Sequence, residues 1–252
     1  MFSRRTLTLA AGAATLALAG LGLGACERGA GGATGGSSSN ELPSDVPVGS
    51  KDAKVVLVEY ASITCPHCAA FNNNVKPQLK AEYIDTGLVR FVFREFPTPP
   101  VDLAMAGHML AFCAGTDKRE ALLDTLFRQQ MEIFQQAQGP GGPRAALLPV
   151  AAAAGVSEAD FDACMANEEV LQRMRDVYKH GTEVDRVTGT PSLFINGQKF
   201  EAPGGREIEF ADLKPALDAA LTAAGVTPPG AAAPAAPAAP ADAAPAAPAD
   251  KK

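Results

Sequence analysis

The chain is 252 residues long and carries 22 Lys and Arg against 28 Asp and Glu, a formal net charge of −6. No Lys/Arg run stands outside the first residues, which excludes an electrostatic footprint for nucleic acid. The 47% hydrophobic content overstates the core, since much of it is alanine at the two ends; about 180 residues remain to fold, enough for one domain or one domain with an insertion.

Residues 1–25 read as a signal sequence: Arg4 and Arg5, then an apolar Leu/Ala/Gly run, then small residues. Glycine interrupts that run too often for a membrane span. The opening Ser-Arg-Arg-Thr-Leu resembles a twin-arginine export signal, although two arginines also occur in ordinary basic leaders. The leader ends in Leu23-Gly-Ala-Cys26, which resembles the lipobox of bacterial lipoproteins. The resemblance implies a lipid on Cys26 as the mature N-terminus. The alternative is a soluble secreted protein cut near Ala25. Residues 26–48, rich in Gly and Ser over 29–40, are expected to form a flexible tether.

Residues 54–60 (KVVLVEY) form a short β-branched run that predicts a buried strand. It leads into Cys65-Pro66-His67-Cys68. From Pro66 onward Phe71, Val75, Leu79 and Tyr83 recur every four residues and predict an amphipathic helix, with Pro66 in its first turn and a kink at Pro77. Gly87 ends it, and 88–96 (LVRFVFREF) alternates as a second strand. Strand, helix, strand is a βαβ unit. Several helices are then expected: 102–113, 118–134, 143–155, 157–165 and 168–184. The breaker QGPGGP falls at 138–143, and Ser157 and Asn167 are N-cap candidates. Met105, Met109 and Phe112 form a stripe that suits core packing, and His108 and His180 read as structural or surface residues. Residues 190–200 (TPSLFINGQKF) predict a hairpin turning at Asn196-Gly197. A helix bearing Phe210, Leu213, Leu217 and Leu221 closes the domain. Residues 227–252, almost all Ala and Pro, are expected to be disordered.

Five cysteines are an odd number for an exported protein. Lipidation of Cys26 leaves Cys65, Cys68, Cys113 and Cys164, which fits two pairs in an oxidising compartment. Cys65 and Cys68 could exchange disulfides, bind metal, hold haem or staple a loop. Covalent haem needs a His after the second cysteine, and Ala69 stands there. Zinc needs a second close ligand pair, which Cys113 and Cys164 do not form, so no metal is expected. A cysteine at a helix N-terminus faces unpaired N–H groups and the positive end of the macrodipole, so the Cys65 thiol should ionise well below the free value of about 8.5. His67 adds a positive or hydrogen-bonding neighbour.

The βαβ half, the helical block and the ββα half, with CPHC leading into the first helix and GTPSLFINGQ far downstream, resemble the DsbA-like thiol:disulfide oxidoreductases. The resemblance implies an α/β thioredoxin fold with an inserted α-helical domain. Its parts would be a first half over 49–99, the insertion over 100–187 and a second half over 188–226. It implies that Cys65 enters the mixed disulfide, that Cys68 resolves it, and that no cofactor is needed beyond their disulfide. Thr190-Pro191 matches the family's cis-proline, where substrate backbone would pair, and Glu59 matches the acidic residue under the active site that can relay a proton to Cys68. Cys113 and Cys164, in two helices of the insertion, are expected to pair, as some relatives carry a second disulfide there; closing a loop of about 50 residues restricts the unfolded chain by about 4 kcal/mol. The implied partners are unfolded exported proteins with cysteines, a membrane redox partner and the membrane itself through the lipid. The implied location is the periplasm or cell envelope. A same-fold reductase or isomerase, or a peptide-binding holdase, is the alternative.

Overall fold

A computed structural model of the chain describes residues 41–230. The expected leader over 1–25, Cys26, most of the 26–48 segment and most of the 227–252 tail lie outside the described residues.

The β-branched run forms β2 (Val55–Ala61), buried along its whole length. It pairs in parallel with β3 (Val89–Glu95) and antiparallel with β4 (Ser192–Ile195). The two-residue β1 (Pro47–Val48) flanks β3 and β5 (Gln198–Phe200) flanks β4, both antiparallel, so the order is β1-β3-β2-β4-β5. Side chains alternate across this sheet. Leu57, Phe91, Phe93, Leu193 and Ile195 face one core. Val56, Val58, Tyr60, Val92 and Phe194 face the other. The β4–β5 turn is made by Asn196 and Gly197, both at positive φ, as a tight hairpin requires.

The first helix begins as α1 (Pro66–Ala70), widens into a π turn over Phe71–Val75, returns to α2 (Lys76–Leu79) and widens again over Lys80–Ile84. Pro77 has no N–H for the carbonyl one turn back, and the wide turn accommodates this by sending the Lys76 N–H to the Phe71 carbonyl. After β3 come α3 (Val101–Cys113), α4 (Thr116–Arg128), α5 (Gln130–Ala137), α6 (Gly142–Ala153), α7 (Glu158–Met165) and α8 (Glu168–Glu183). The Ser157 hydroxyl accepts from the Asp160 N–H, and the Asn167 side chain accepts from Glu169 and Val170, so both act as N-caps. α9 (Phe210–Ala223) buries Leu213, Leu217 and Leu221 against the first face of the sheet. A βαβ half and a ββα half thus share one mixed sheet, with helices between them, as the resemblance implies.

Three expectations change. A single helix over 118–134 becomes α4 and α5, broken at Gln129 (φ −96°, ψ 12°), because the Gln130 side chain turns inward to bond the loop before α1. The tether expected through 48 ends earlier. From Glu41 the chain is held by Glu41–Arg90 and Asp45–Arg94 ion pairs and by β1, contacts between residues far apart in sequence. β3 does not alternate between core and solvent, since Arg94 and Glu95 are both buried. Each is matched: Arg94 by Asp45 and Asp185, Glu95 by Arg119 and Arg173.

Cys113 and Cys164 are joined, tying the end of α3 to α7 with Cα atoms 6.0 Å apart. Met109, Val170 and Met174 pack around the bridge, with Met105 and Phe112 at its margin, so the methionine stripe is core. His108 is fully buried in α3 and His180 lies part-buried near Asp185.

Candidate active site

Cys65 occupies the N-cap of α1 in extended conformation, and its carbonyl accepts the first helical hydrogen bond from Ala69. The approach to it is fixed by short polar side chains. The Thr64 hydroxyl meets the Ser62 hydroxyl at 2.8 Å and donates to the Thr98 carbonyl at 2.8 Å. The Thr98 N–H donates to Ser62 Oγ at 3.1 Å. From the helical block, Gln130 Nε2 donates to the carbonyls of Ile63 (2.8 Å) and Cys65 (3.0 Å). Gly107 of α3 rests on the same segment; a Cβ there would stand 2.5 Å from Ile63 Cδ1. Sequence reasoning passed over Gln130, whose only signal was a polar residue in an otherwise apolar helical stripe.

Cys65 and Cys68 are free thiols in unlike settings. A hydrogen bond from the Cys68 thiol is the largest influence on Cys65. Burial opposes it, and Thr190 and the backbone N–H groups of Cys68 and His67 assist, leaving Cys65 at about 5. Cys68 is driven strongly the other way by burial, then by its bond to Cys65 and by the nearby charges of Glu59 and Cys65. One sulfur is therefore a thiolate at neutral pH and the other a thiol.

The His67 ring is bonded to an acid and not to Cys65. It is exposed and its Nδ1 lies 2.7 Å from Glu207 Oε1, which raises its pKa. The contribution of this residue to the thiolate is chiefly its backbone N–H. Thr190-Pro191 is a cis peptide, and the Thr190 carbonyl lies 3.3 Å from Cys65 Sγ, accepting from it when Cys65 is the protonated thiol. A cavity of about 440 Å³ opens beside it, lined by His67, Phe71, Pro191, Phe200 and Ile208.

Glu59 lies in β2 opposite Phe93, on the face that carries Leu57 and Phe91 and is covered by the α1 helix. It is 2% exposed, and its Oε1 has no hydrogen-bond partner among the described residues. Burial raises it, Lys76 lowers it and Cys65 raises it, for a value of about 8. The structure thus brings Glu59, Cys65, Cys68, Thr190 and Pro191 together and pairs the His67 ring with Glu207. Cys113 and Cys164 stand in a separate cluster in the helical block. Among the described residues no group of three or more His, Cys, Asp or Glu could hold a metal ion.

The thioredoxin family model matches residues 41–219. A Rickettsia bellii protein named as a protein-disulfide oxidoreductase is 31% identical over 157 residues, which are 62% of this chain and 59% of that protein. The chain thus spans under two thirds of the length of the Rickettsia relatives it matches. Wolbachia pipientis alpha-DsbA1 has the same fold (TM-score 0.64, 24% identity, 73% of this chain and 94% of that one). So does a Novosphingobium aromaticivorans protein-disulfide isomerase (TM-score 0.60, 25% identity, 70% and 97%). The chain belongs to the thioredoxin family, in the DsbA-like form of the fold with helices inserted between its two halves.

Proposed function

We propose that this protein is a cell-envelope thiol:disulfide oxidoreductase that oxidises cysteine pairs in exported proteins. One observation carries the direction of electron flow: Cys65 near 5 beside a Cys68 held protonated. A stable Cys65 thiolate favours the reduced protein, so the disulfide passes on readily.

In the oxidised protein a substrate thiolate attacks Cys65 Sγ. The Cys65–Cys68 bond breaks and its electron pair goes to Cys68, which takes a proton from the Glu59 carboxyl. The substrate's second thiolate then attacks the substrate sulfur of the mixed disulfide, the substrate disulfide forms, and Cys65 leaves as thiolate without needing a proton. Two electrons pass to the protein. Of the two protons lost by the substrate, one replaces that of Glu59 and one goes to water. Burial is the largest cause of the raised Glu59 value and does not depend on the state of the cysteines, so the carboxyl keeps a proton to donate when the disulfide opens. The Thr190 backbone and the mixed polar and apolar cavity beside Pro191 suit an extended peptide.

The leader over 1–25 would export the chain, and a lipid on Cys26 would hold it at a membrane, where a redox partner reoxidises it. No helix among the described residues is long and apolar enough to cross a membrane. Intact mass of the mature protein tests the anchor; an unmodified N-terminus near Cys26 removes it. Thiolate absorbance against pH, with equilibration in glutathione buffers, tests the activity. The expected result is a Cys65 midpoint well under the free value and a potential above the roughly −270 mV of thioredoxin. A potential at or below that value makes the protein a reductase.

A further inference from the structure

The second face of the sheet, opposite the one covered by α1, carries a buried polar cluster that the exchange steps above do not use. Arg94 of β3 is wholly buried there. Its Nε and Nη2 donate to the two carboxylate oxygens of Asp45 at 3.1 and 2.8 Å. Its Nη1 donates to the Tyr60 hydroxyl at 2.7 Å and to Asp185 Oδ2 at 3.2 Å. The Tyr60 hydroxyl donates in turn to Asp185 Oδ2 at 2.7 Å, and His180 Nε2 lies 3.7 Å from the same oxygen.

Through Tyr60 this cluster reaches the active site. Asp185 stands in the segment that runs from the end of α8 to Thr190 and Pro191. At the other end of that segment, Ser192 is the register partner of Tyr60 in the β2–β4 ladder, and its Oγ donates to the Gly189 carbonyl at 2.7 Å. One residue thus holds both ends of the loop, the start by its side chain and the finish by its backbone. Between them Arg186 has φ +55°, a left-handed conformation that a non-glycine residue keeps only where its surroundings enforce it. The Val187 N–H donates to the Gly181 carbonyl at 2.8 Å. The helix itself presses on the same ring, since a Cβ at Gly181 would stand 2.8 Å from Tyr60 Cε1.

We propose that Tyr60 is a positioning residue for substrate: its hydroxyl, shared by Arg94 and Asp185, fixes in advance the loop that presents the Thr190 backbone to an incoming peptide. The Thr190 carbonyl lies 3.3 Å from Cys65 Sγ, so a shift of the loop moves the strand-pairing edge relative to the attacked sulfur. A loop already held in place leaves less to be ordered when peptide binds, which gives tighter binding and not a faster chemical step. A small dithiol has no backbone to pair and gains nothing from the loop. This inference rests on the Thr190 backbone as the place where substrate pairs.

The test is single-turnover oxidation of an unstructured peptide with two cysteines by the oxidised full chain, with dithiothreitol as the comparison. Parent, Tyr60→Phe and Asp185→Ala are measured. Tyr60→Phe keeps the ring against Phe96 and Phe194 and removes only the hydroxyl. Asp185→Ala removes the carboxylate that the hydroxyl bonds and leaves Arg94 with Asp45. In both variants the peptide concentration for half-maximal rate should rise about tenfold, with the limiting rate within about twofold and the ratio of peptide to dithiothreitol reactivity down about tenfold. That split supports the positioning role, and a structural role alone does not produce it. Equal losses toward peptide and dithiothreitol, a fall in the limiting rate alone, or no change overturns it. Should Tyr60→Phe fail to fold, Asp185→Ala decides by the same criteria. A parent that oxidises dithiothreitol but not the peptide overturns the peptide-oxidase reading and this inference with it, whereas variants that match an active parent overturn the inference alone.

Discussion

Glu59 and Glu95 stand on adjacent strands and the same face of the sheet, diagonal to each other across the β2–β3 register, and both are almost wholly buried. Their chemistry is opposite. Burial pushes the Glu95 carboxyl up, but the guanidiniums of Arg119 (2.6 Å) and Arg173 (2.9 Å) outweigh it and hold it at about 2. Glu59 receives only the distant charge of Lys76 and rises to about 8. Burial alone therefore does not decide protonation; bonded countercharge does. Glu95 is a fixed anion that ties β3 to α4 and α8, and Glu59 is a buried carboxyl whose proton affinity is raised.

The sharpest way to break the contrast is Glu95→Ala. It leaves two buried guanidiniums without their carboxylate and should cost about 3–5 kcal/mol in denaturant unfolding. Loss near 1 kcal/mol would show that the cluster rearranges around the gap. The pH dependence has a definite sign. Because the folded value of Glu95 lies below its ordinary 4.5, its stabilisation is present above that pH and disappears as pH falls toward about 2. His108, fully buried near Glu95 and held at about 4 by burial, adds acid sensitivity at higher pH, between its ordinary 6.5 and about 4.

The cysteines repeat the contrast between a bonded pair and a poised one. Replacing both Cys113 and Cys164 by Ala should lower stability by up to about 4 kcal/mol. The potential of the Cys65–Cys68 couple should stay unchanged, since the two pairs lie in separate clusters. A parallel shift in the potential would show that the second bridge also tunes the first.

Glu59→Gln is the complementary change. Reduction of the Cys65–Cys68 disulfide by a peptide thiol should slow by roughly 10²-fold at neutral pH, because Cys68 leaves without its donor. In the parent the donor's advantage should fade as pH rises through about 8. Stability moves the other way. Glu59 is raised above its ordinary value, so its stabilisation is full below about 4.5 and is lost as pH rises through about 8. Gln at 59 should therefore make the protein more stable than the parent at pH 9, by on the order of 2 kcal/mol. Equal stability across that range would place Glu59 in solvent contact.

Smallest is the effect of His67→Ala. The ring is bound to Glu207 and the residue acts on the thiolate mainly through its N–H, so the Cys65 midpoint should rise only by a few tenths of a unit. A rise of two units would restore the ring as the main source of thiolate stability. In both proteins the potential should change by about 30 mV per pH unit between the Cys65 midpoint and neutrality, one proton for two electrons.

Local patterns made most of the fold legible before any coordinates. The β-branched run of β2, the four-residue period into the first helix, the caps Ser157 and Asn167 and the Asn196-Gly197 turn all rest on short-range sterics and hydrogen bonding. CPHC carried its own chemistry, because a cysteine that opens a helix meets unpaired N–H groups whatever surrounds it. Three-dimensional contact decided the rest. The break at Gln129, the docking of 41–48 on β3, and the turning of the His67 ring to Glu207 depend on partners 49 to 140 residues away. The same holds for the two carboxylates. In sequence Glu59 and Glu95 are alike, a glutamate near the end of a buried strand. Which of them holds its charge depends on where Arg119 and Arg173 arrive from distant helices, because countercharge acts over a few ångströms and pays no regard to chain distance.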